Sequence, residues 1–172
     1  MPHLTIKLAD IAHTVLAKLQ TDLPALVTAE GLPAIALWTV AHPMLLLQHP
    51  TWSGKYLPTV GVDYNYPNGL WRRQHVSLSG DRMNYRVTAF VLTQLEPTED
   101  VVAGIIGHPS MLRCAAYQRL ILEALDAYHD DATVPFYKMF CDEGGVRHVV
   151  NSAGLPLATE GQVVLTAVSD VS

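Results

Sequence analysis

The sequence predicts an α/β chain of the α+β type: a mixed, largely antiparallel sheet flanked by two main helices, with a long proline-rich loop and a β-hairpin. Three features of the pattern lead to this class. Apolar residues recur at helical spacing over 4–20 and over 110–128, β-branched and aromatic residues dominate 84–94, and turn residues separate these segments. A length of 172 residues suits one domain, so we expect 1–172 to fold as a single domain.

The first predicted helix is amphipathic and has a clear stop signal. Its apolar positions follow the i, i+3, i+4, i+7 spacing of one helix face. The tripeptide Asp22-Leu23-Pro24 could end this helix or start a second turn, because proline suits a first helical position. Gly31, followed by Pro33, predicts the end of the helical region. The apolar face of the helix consists of Leu8, Ile11, Ala12, Val15, Leu16 and Leu19.

Residues 32–58 are the hardest segment to assign from the pattern. They contain four prolines and two tryptophans, and 35–40 could be a strand within an irregular loop. Long loops in compact domains are usually functional or disordered, and the apolar composition disfavours disorder. We expect an arm that packs on a neighbouring protein; a buried short helix at 43–48 is the alternative. Because aromatic and apolar anchors are enriched at interface centres, the candidate interface residues here are Trp38, Leu45 and Trp52.

The middle of the chain predicts a β-meander. The turn signal Pro67-Asn68-Gly69 separates two extended segments, which makes 60–78 a candidate hairpin, and 84–94 would be the third strand. A basic, aromatic cluster follows the turn, and guanidinium groups bind carboxylates in a bidentate way. We therefore expect this cluster to contact an acidic partner, the alternative being an ordinary solvated turn. The cluster consists of Trp71, Arg72 and Arg73.

The C-terminal half predicts helices and a closing pair of strands. Glu99 and Asp100 favour the start of a short helix over 99–106, because acidic residues suit helix N-termini. A second main helix is predicted over 110–128, and strands at about 146–151 and 162–168. The apolar face of that helix consists of Cys114, Tyr117, Ile121, Leu125 and Tyr128, widened by Leu112, Ala116 and Leu120.

Composition disfavours several function classes. The chain has 11 basic and 16 acidic residues and a net charge of −5, whereas nucleic-acid binding depends on Lys and Arg neutralising phosphates. Two cysteines are too few for a disulfide scaffold. The N-terminal residues do not resemble a signal peptide, and no apolar run is long enough for a membrane span. We expect a protein made in the cytoplasm, with no membrane partner.

The motifs of common catalytic and metal sites are missing. A phosphate loop would need a glycine where His49 stands and Ser or Thr where Tyr56 stands, so the dipeptide at 54–55 is insufficient. The histidines do not follow zinc-ligand spacing. Cys141 could pair with His148, but neighbouring acidic residues disfavour a thiolate. We therefore predict no enzyme, no catalytic residue, no cofactor and no metal.

The order of elements resembles the tail-terminator, or tail-completion, family of tailed bacteriophages. The segments that support the resemblance are YRVTAFVL at 85–92, LRCAAY at 112–117, ILEAL at 121–125 and QVVLTAV at 162–168, in a layout covering 4–30 and 59–170. The resemblance implies a structural virion protein of the tail and neck, assembled in the host cytoplasm. It implies a homo-oligomer, a hexameric ring that caps the tail tube and joins it to the neck or connector protein. DNA would pass through without specific binding.

Two other functions remain open from the sequence. One is a different neck or baseplate assembly protein, which would share the low content of charged residues, 16% of the chain. The other is a small cytoplasmic enzyme with a non-contiguous site.

Overall fold

The computed structural model describes residues 2–41, 43–63, 72–75, 81–95, 100–102, 105–107, 109–126, 138–150, 153–154 and 156–170. Helices and strands alternate irregularly along the chain, and a 3₁₀ turn lies at Gly54–Tyr56. The helices are α1 (Pro2–Ala29), α2 (Pro43–Leu47) and α3 (Pro109–Asp126). The strands are β1 (Leu37–Val40), β2 (Thr59–Asp63), β3 (Arg72–His75), β4 (Asp81–Thr93), β5 (Asp100–Val102), β6 (Ile105–Gly107), β7 (Lys138–Val150) and β8 (Pro156–Asp170).

The main sheet is mixed and largely antiparallel. Its strand order is β1-β2-β4-β8-β7, and β3 also pairs with β4. Only β1 and β2 run parallel among the described strand pairs; the others are antiparallel, including the long β7–β8 hairpin. Together with the helices, this sheet confirms the predicted α+β class.

β2 and β3 lie end to end along the same side of β4. β8 occupies the other side of β4, from Arg82 to Thr93. Asp63 at the end of β2 pairs with Thr88, and Arg72 at the start of β3 pairs with Asn84. The described strands of 60–78 therefore pair with β4 and not with each other as the predicted meander required. Because β4 has 13 residues, it is long enough to pair with two short strands that lie end to end along one side. The predicted turn at 67–69 lies outside the described residues.

α1 is longer than predicted, because its apolar face continues past Pro24. Leu23 and Val27 are buried one and two turns beyond Leu19, so packing stabilises a helix that proline alone would tend to end. The predicted stop at Gly31 is confirmed. Gly31 has φ +68°, its N–H donates to Thr28 O at 3.1 Å and the Leu32 N–H donates to Val27 O at 3.0 Å, which is a Schellman cap.

α3 also buries the face that its spacing predicted. Cys114, Tyr117, Ile121 and Leu125 are each 1% exposed or less. Leu112 was wrongly assigned to this face: its side chain is 68% exposed, because residue 112 lies two positions from the buried Ser110 and Cys114 and so turns away from the sheet. Tyr128 lies outside the described residues.

The short helix predicted over 99–106 is wrong. β5 and β6 occupy this region as a separate two-stranded antiparallel pair. Valine accounts for two of the three residues of β5 and isoleucine for two of the three residues of β6, and β-branched side chains favour extended backbone. That preference outweighs the acidic residues that suggested a helix N-terminus.

The sheet separates two apolar cores. Residues that alternate along β4 point to opposite faces, so Val87, Ala89 and Val91 meet α1 and α3 in the larger core. Phe90 and Leu92 face the other way and belong to a smaller cluster. Residues of the segment 32–58 pack against that second cluster.

Candidate functional site

Residues 32–58 fold back on their own sheet. β1 pairs in parallel with β2, and parallel neighbours require a crossover connection, which residues 41–58 supply. The crossover contains α2 and the 3₁₀ turn, and it packs on the sheet face opposite α1 and α3. The smaller core beneath it consists of Leu47, Phe90, Leu92, Val149 and Ala158, with Met44, Leu46, Trp52 and Leu57 packed against it.

This arrangement bears on the two interpretations of residues 32–58, an arm on a neighbouring protein or a buried short helix at 43–48. The strand suggested at 35–40 is present as β1, and a short helix is present where 43–48 was the alternative. The described part of 32–58 is therefore not irregular and packs on its own sheet, while its contact with a neighbouring protein stays a prediction. The physical reason is that Phe90 and Leu92 would otherwise leave an apolar sheet face uncovered.

A cleft of about 250 Å³ opens between the crossover and β1. The Trp52 and Tyr56 rings lie 5.7 Å apart between centroids and are tilted by 39°. The Lys55 ammonium lies 5.0 Å from the Tyr56 ring centroid, within cation–π range. The cleft is lined by Leu37, Leu46, His49, Thr51, Trp52 and Tyr56.

Hydrogen bonds between residues two positions apart occur at the rim of the cleft. The Thr51 backbone N–H donates to His49 Nδ1 at 3.3 Å, and the Thr51 hydroxyl lies 2.8 Å from the same nitrogen. Ser53 Oγ accepts from the Lys55 N–H at 3.3 Å and so caps the 3₁₀ turn. Two of the lining residues, His49 and Thr51, are therefore hydrogen-bonded to each other at the rim.

The structure brings together two of the predicted interface residues and separates the third. Leu45 on α2 is 69% exposed, and it precedes Leu46, which lines the cleft together with Trp52. Trp38 pairs in register with Val60 and packs against the larger core on the other sheet face. We call the exposed Leu45 and the adjoining cleft the α2 surface.

The role of the predicted basic cluster as a partner contact stays a prediction. Trp71 lies outside the described residues. Arg72 and Arg73 are consecutive residues of β3, and consecutive residues of a strand lie on opposite faces of the sheet.

Buried polar residues that the sequence pattern did not reveal join β7, β8 and α3. Gln118 Nε2 donates to Gly144 O at 2.5 Å and to Gln162 O at 2.6 Å, at the bulge where β7 changes register against β8. Glu160, 1% exposed, accepts from Arg147 Nε at 2.8 Å and from Gln162 Nε2 at 2.9 Å. These hydrogen bonds satisfy buried polar groups that would otherwise destabilise the folded protein.

The two strands predicted for this region are longer than the pattern indicated. They were expected at about 146–151 and 162–168, whereas β7 spans Lys138–Val150 and β8 spans Pro156–Asp170, so that 160–161 lies within β8. Gly161 is a close-approach position: a Cβ there would lie 3.2 Å from Cys114 Sγ and 3.3 Å from Gln118 Cβ. Glycine in this strand therefore marks helix packing and not a turn.

The two buried ionisable groups of α3 are structural. Burial raises the pKa of the Cys114 thiol to about 12, and its Sγ lies 4.0 Å from Val91 O. Burial likewise raises the pKa of Tyr117 to about 12, and its hydroxyl donates to Pro33 O at 2.5 Å. A thiol that stays protonated is a poor nucleophile, so Cys114 offers packing and no covalent chemistry.

The part of the chain that the structure describes contains no group of three or more His, Cys, Asp or Glu side chains able to hold a metal ion. None of its helices has both the length and the apolar character that a membrane crossing needs. No protein-family model matches the chain, and no curated protein matches its sequence.

Proposed function

We propose that this chain is a structural virion protein, a ring-forming tail terminator that caps the tail tube at the head–tail junction and joins it to the connector. The observation that supports the proposal most directly is the α2 surface. An apolar side chain that is 69% exposed stands beside an aromatic-lined cleft whose rim is hydrogen-bonded. Such a surface suits a partner protein more than bulk water.

The architecture also supports an assembly role. The long helix and the closing β7–β8 hairpin occur in the order on which the resemblance to tail terminators rests, whereas β2 and β3 do not form the meander that belongs to that order. Within the proposal, six copies form a ring, the tube subunit contacts the α2 surface, and DNA passes through the ring without specific binding. Likeness of layout is an analogy, so the proposal depends on experiments with the partner.

The first experiment combines the protein with tube subunits from the same genome and images the tube ends. A ring at the ends, and tubes of arrested length, are the expected results for the wild-type chain. Bare ends with unlimited elongation would refute the terminator proposal, and rings on a purified connector alone would favour a different neck protein. Titration with duplex DNA at low salt should show no binding in the micromolar range.

A matched pair of leucine variants tests the α2 surface. Leu45 and Leu112 are 69% and 68% exposed, but only Leu45 adjoins the cleft. Leu45→Asp should weaken binding to tube ends by roughly tenfold or more, because it places a charge in an apolar contact. Leu112→Asp, the control, should leave binding within about twofold of wild type.

Both variants should fold, since each position is already exposed, and circular dichroism and unfolding curves will check this. Equal capping by the two variants would show that the α2 surface is not the contact with the tube. Capping lost only in Leu112→Asp would place the contact on α3 instead.

A further inference from the structure

The segment that forms the cleft is the longest run of the chain without an acidic residue. From Gly31 to Val62 there is no Asp or Glu, and Lys55 is the one Lys or Arg, although the whole chain has 16 acidic residues and a net charge of −5. The carboxylate that precedes this run, Glu30, lies 2.8 Å from an Arg119 nitrogen. The cleft is therefore a locally cationic part of an acidic protein.

The sheet face under the crossover does not supply the missing negative charge. Residues that pair directly across strands share a face of the sheet, which places Glu160 on the face of Leu92. Its carboxylate is buried and accepts from Arg147 and Gln162, at 2.8 and 2.9 Å. Asp63, on the same face, is 3% exposed. Both carboxylates are buried within the subunit and are not offered to a group at the cleft.

Three side chains at the cleft have donors that no described protein group accepts from. The Lys55 ammonium lies over the Tyr56 ring and has no ion-pair partner in the described residues. The Trp52 indole N–H and the Tyr56 hydroxyl have no hydrogen-bond partner there either. Lys55 is exposed, and Trp52 and Tyr56 are half-buried, so all three are accessible from outside. An ammonium and an indole N–H can only donate.

His49 adds a fourth donor at the rim. A backbone N–H always donates, and that of Thr51 donates to His49 Nδ1 at 3.3 Å. The Thr51 hydroxyl, 2.8 Å away, can donate to the same atom. Because Nδ1 accepts, the neutral imidazole has its proton on Nε2, which is then a donor. Four donors without a nearby free carboxylate favour a ligand that accepts hydrogen bonds and has negative charge.

The rest of the lining is apolar, and the cleft is small. Leu37 and Leu46 line it together with the two aromatic rings. Its volume of about 250 Å³ lies below the range of about 300–1,000 Å³ that is typical of pockets for drug-sized ligands. One or two side chains of a partner fit this space better than a nucleotide or a cofactor. Leu45, exposed beside the cleft, extends the apolar surface for the same partner.

We propose that the cleft binds a segment of the partner protein in which an apolar side chain stands next to a carboxylate. The apolar group lies against Trp52 and Tyr56, and the carboxylate lies at the Lys55 ammonium. The inference rests on the proposed function for the identity of the partner, the tail-tube subunit. An exposed ion pair changes an affinity by up to about fivefold, so the charge selects the segment while the apolar contact supplies most of the affinity.

Capping of tubes tests the charge with a matched pair of variants. Lys55→Gln should weaken binding to tube ends by about threefold to fivefold at low salt. Arg86→Gln is the control and should stay within about 1.5-fold of wild type. Arg86 is exposed, lies six residues along β4 from Leu92, and its substitution changes the net charge equally. At high salt wild type and Lys55→Gln should converge, because ions screen the pair.

Blocked peptides test the cleft without the tube. Acetyl-Leu-Glu-Leu-amide is titrated into the protein while the NMR signal of the Trp52 indole N–H is followed, with Trp52→Phe used to assign that signal. We expect a dissociation constant on the order of 1 mM. The same peptide with Gln in place of Glu should bind at least about threefold more weakly. In Lys55→Gln the two peptides should bind equally.

The outcomes separate this inference from the proposed function. Discrimination between the peptides without any capping of tubes would support the chemistry of the cleft and reject the terminator proposal. Normal capping with equal binding of both peptides would leave the terminator proposal intact and overturn the inference. Equal capping by Lys55→Gln and wild type at low salt would also overturn it. Indole-3-acetate that binds at least about tenfold more tightly than the glutamate peptide would assign the cleft to a small molecule and overturn the partner segment.

Discussion

Replacing Gln118 with methionine should destabilise the protein through two carbonyl groups that lose their donor. The Gln118 side chain is 1% exposed and donates to Gly144 O and Gln162 O across the β7–β8 bulge. Methionine fills a similar volume but has no N–H. A buried acceptor left without a partner costs about 1–3 kcal/mol, so two of them predict a loss of about 2–6 kcal/mol in the free energy of unfolding.

The loss is large enough to measure in two ways. Urea or guanidinium titration followed by circular dichroism should give a lower midpoint with an unchanged slope. For a chain of this length a loss of 1 kcal/mol lowers Tm by about 2–4 °C, so Tm should fall by about 4–24 °C. Arg119→Met on the same helix is the control, because the pair of Arg119 and Glu30 is exposed and such pairs contribute at most about 1 kcal/mol.

The reasoning would be refuted by a Gln118→Met variant within about 0.5 kcal/mol of wild type. That result would mean that water or a backbone shift satisfies Gly144 and Gln162 without the amide. A Gln118→Glu variant gives a second check. Its carboxylate has no N–H donor when ionised, so it should be at least as unstable as the methionine variant.

Two further predictions concern the core. Ile121→Asp should abolish cooperative folding, because Ile121 is 1% exposed and an unpaired buried charge is strongly destabilising; a soluble variant with a sharp unfolding transition would contradict the packing of α3. The folded-state pKa values of Cys114 and Tyr117 are raised to about 12 from 9.0 and 10.0. The unfolded chain therefore releases protons first, and this contribution to stability is complete below about pH 9 and falls as the pH rises toward 12. Unfolding curves between pH 8 and 11 should show that fall, and Cys114→Ala together with Tyr117→Phe should flatten it.

The sequence pattern predicted the local structure correctly where a residue type has one dominant physical role. The apolar stripe of α1 and the Gly31 stop are both present, because a 3.6-residue repeat and a positive-φ position leave few alternatives. The β-branched run of 84–94 became β4, the strand that pairs with β2, β3 and β8. Local preference and tertiary packing agree at these positions.

The pattern was insufficient where the outcome depends on distant residues. Pro24 indicated a helix end, but burial of Leu23 and Val27 under the sheet extends the helix beyond it. The crossover could not be predicted as a cover for the second sheet face until β1 and β2 were known to be parallel. Gln118 gave no signal in the sequence, because its two acceptors belong to a bulge formed by strands 26 and 44 residues away.

Parts of the candidate site could be predicted and parts could not. Leu45 and Trp52, which the pattern singled out within one apolar segment, lie at or beside the cleft, and their role in an interface stays a prediction. Trp38 differs because strand alternation turns it to the other face, next to Val60.

The end-to-end placement of β2 and β3 gives the fold a site that can accept added sequence. Each of the two strands is held by its own part of β4, through Thr88–Leu92 for β2 and Asp81–Asn84 for β3. Their registers are set independently, so the number of residues that join them is free to vary. Doubling such a connection costs only about 0.6 kcal/mol of loop-closure entropy. An affinity tag or fluorophore inserted between β2 and β3 is therefore expected to leave the strand order of the sheet unchanged.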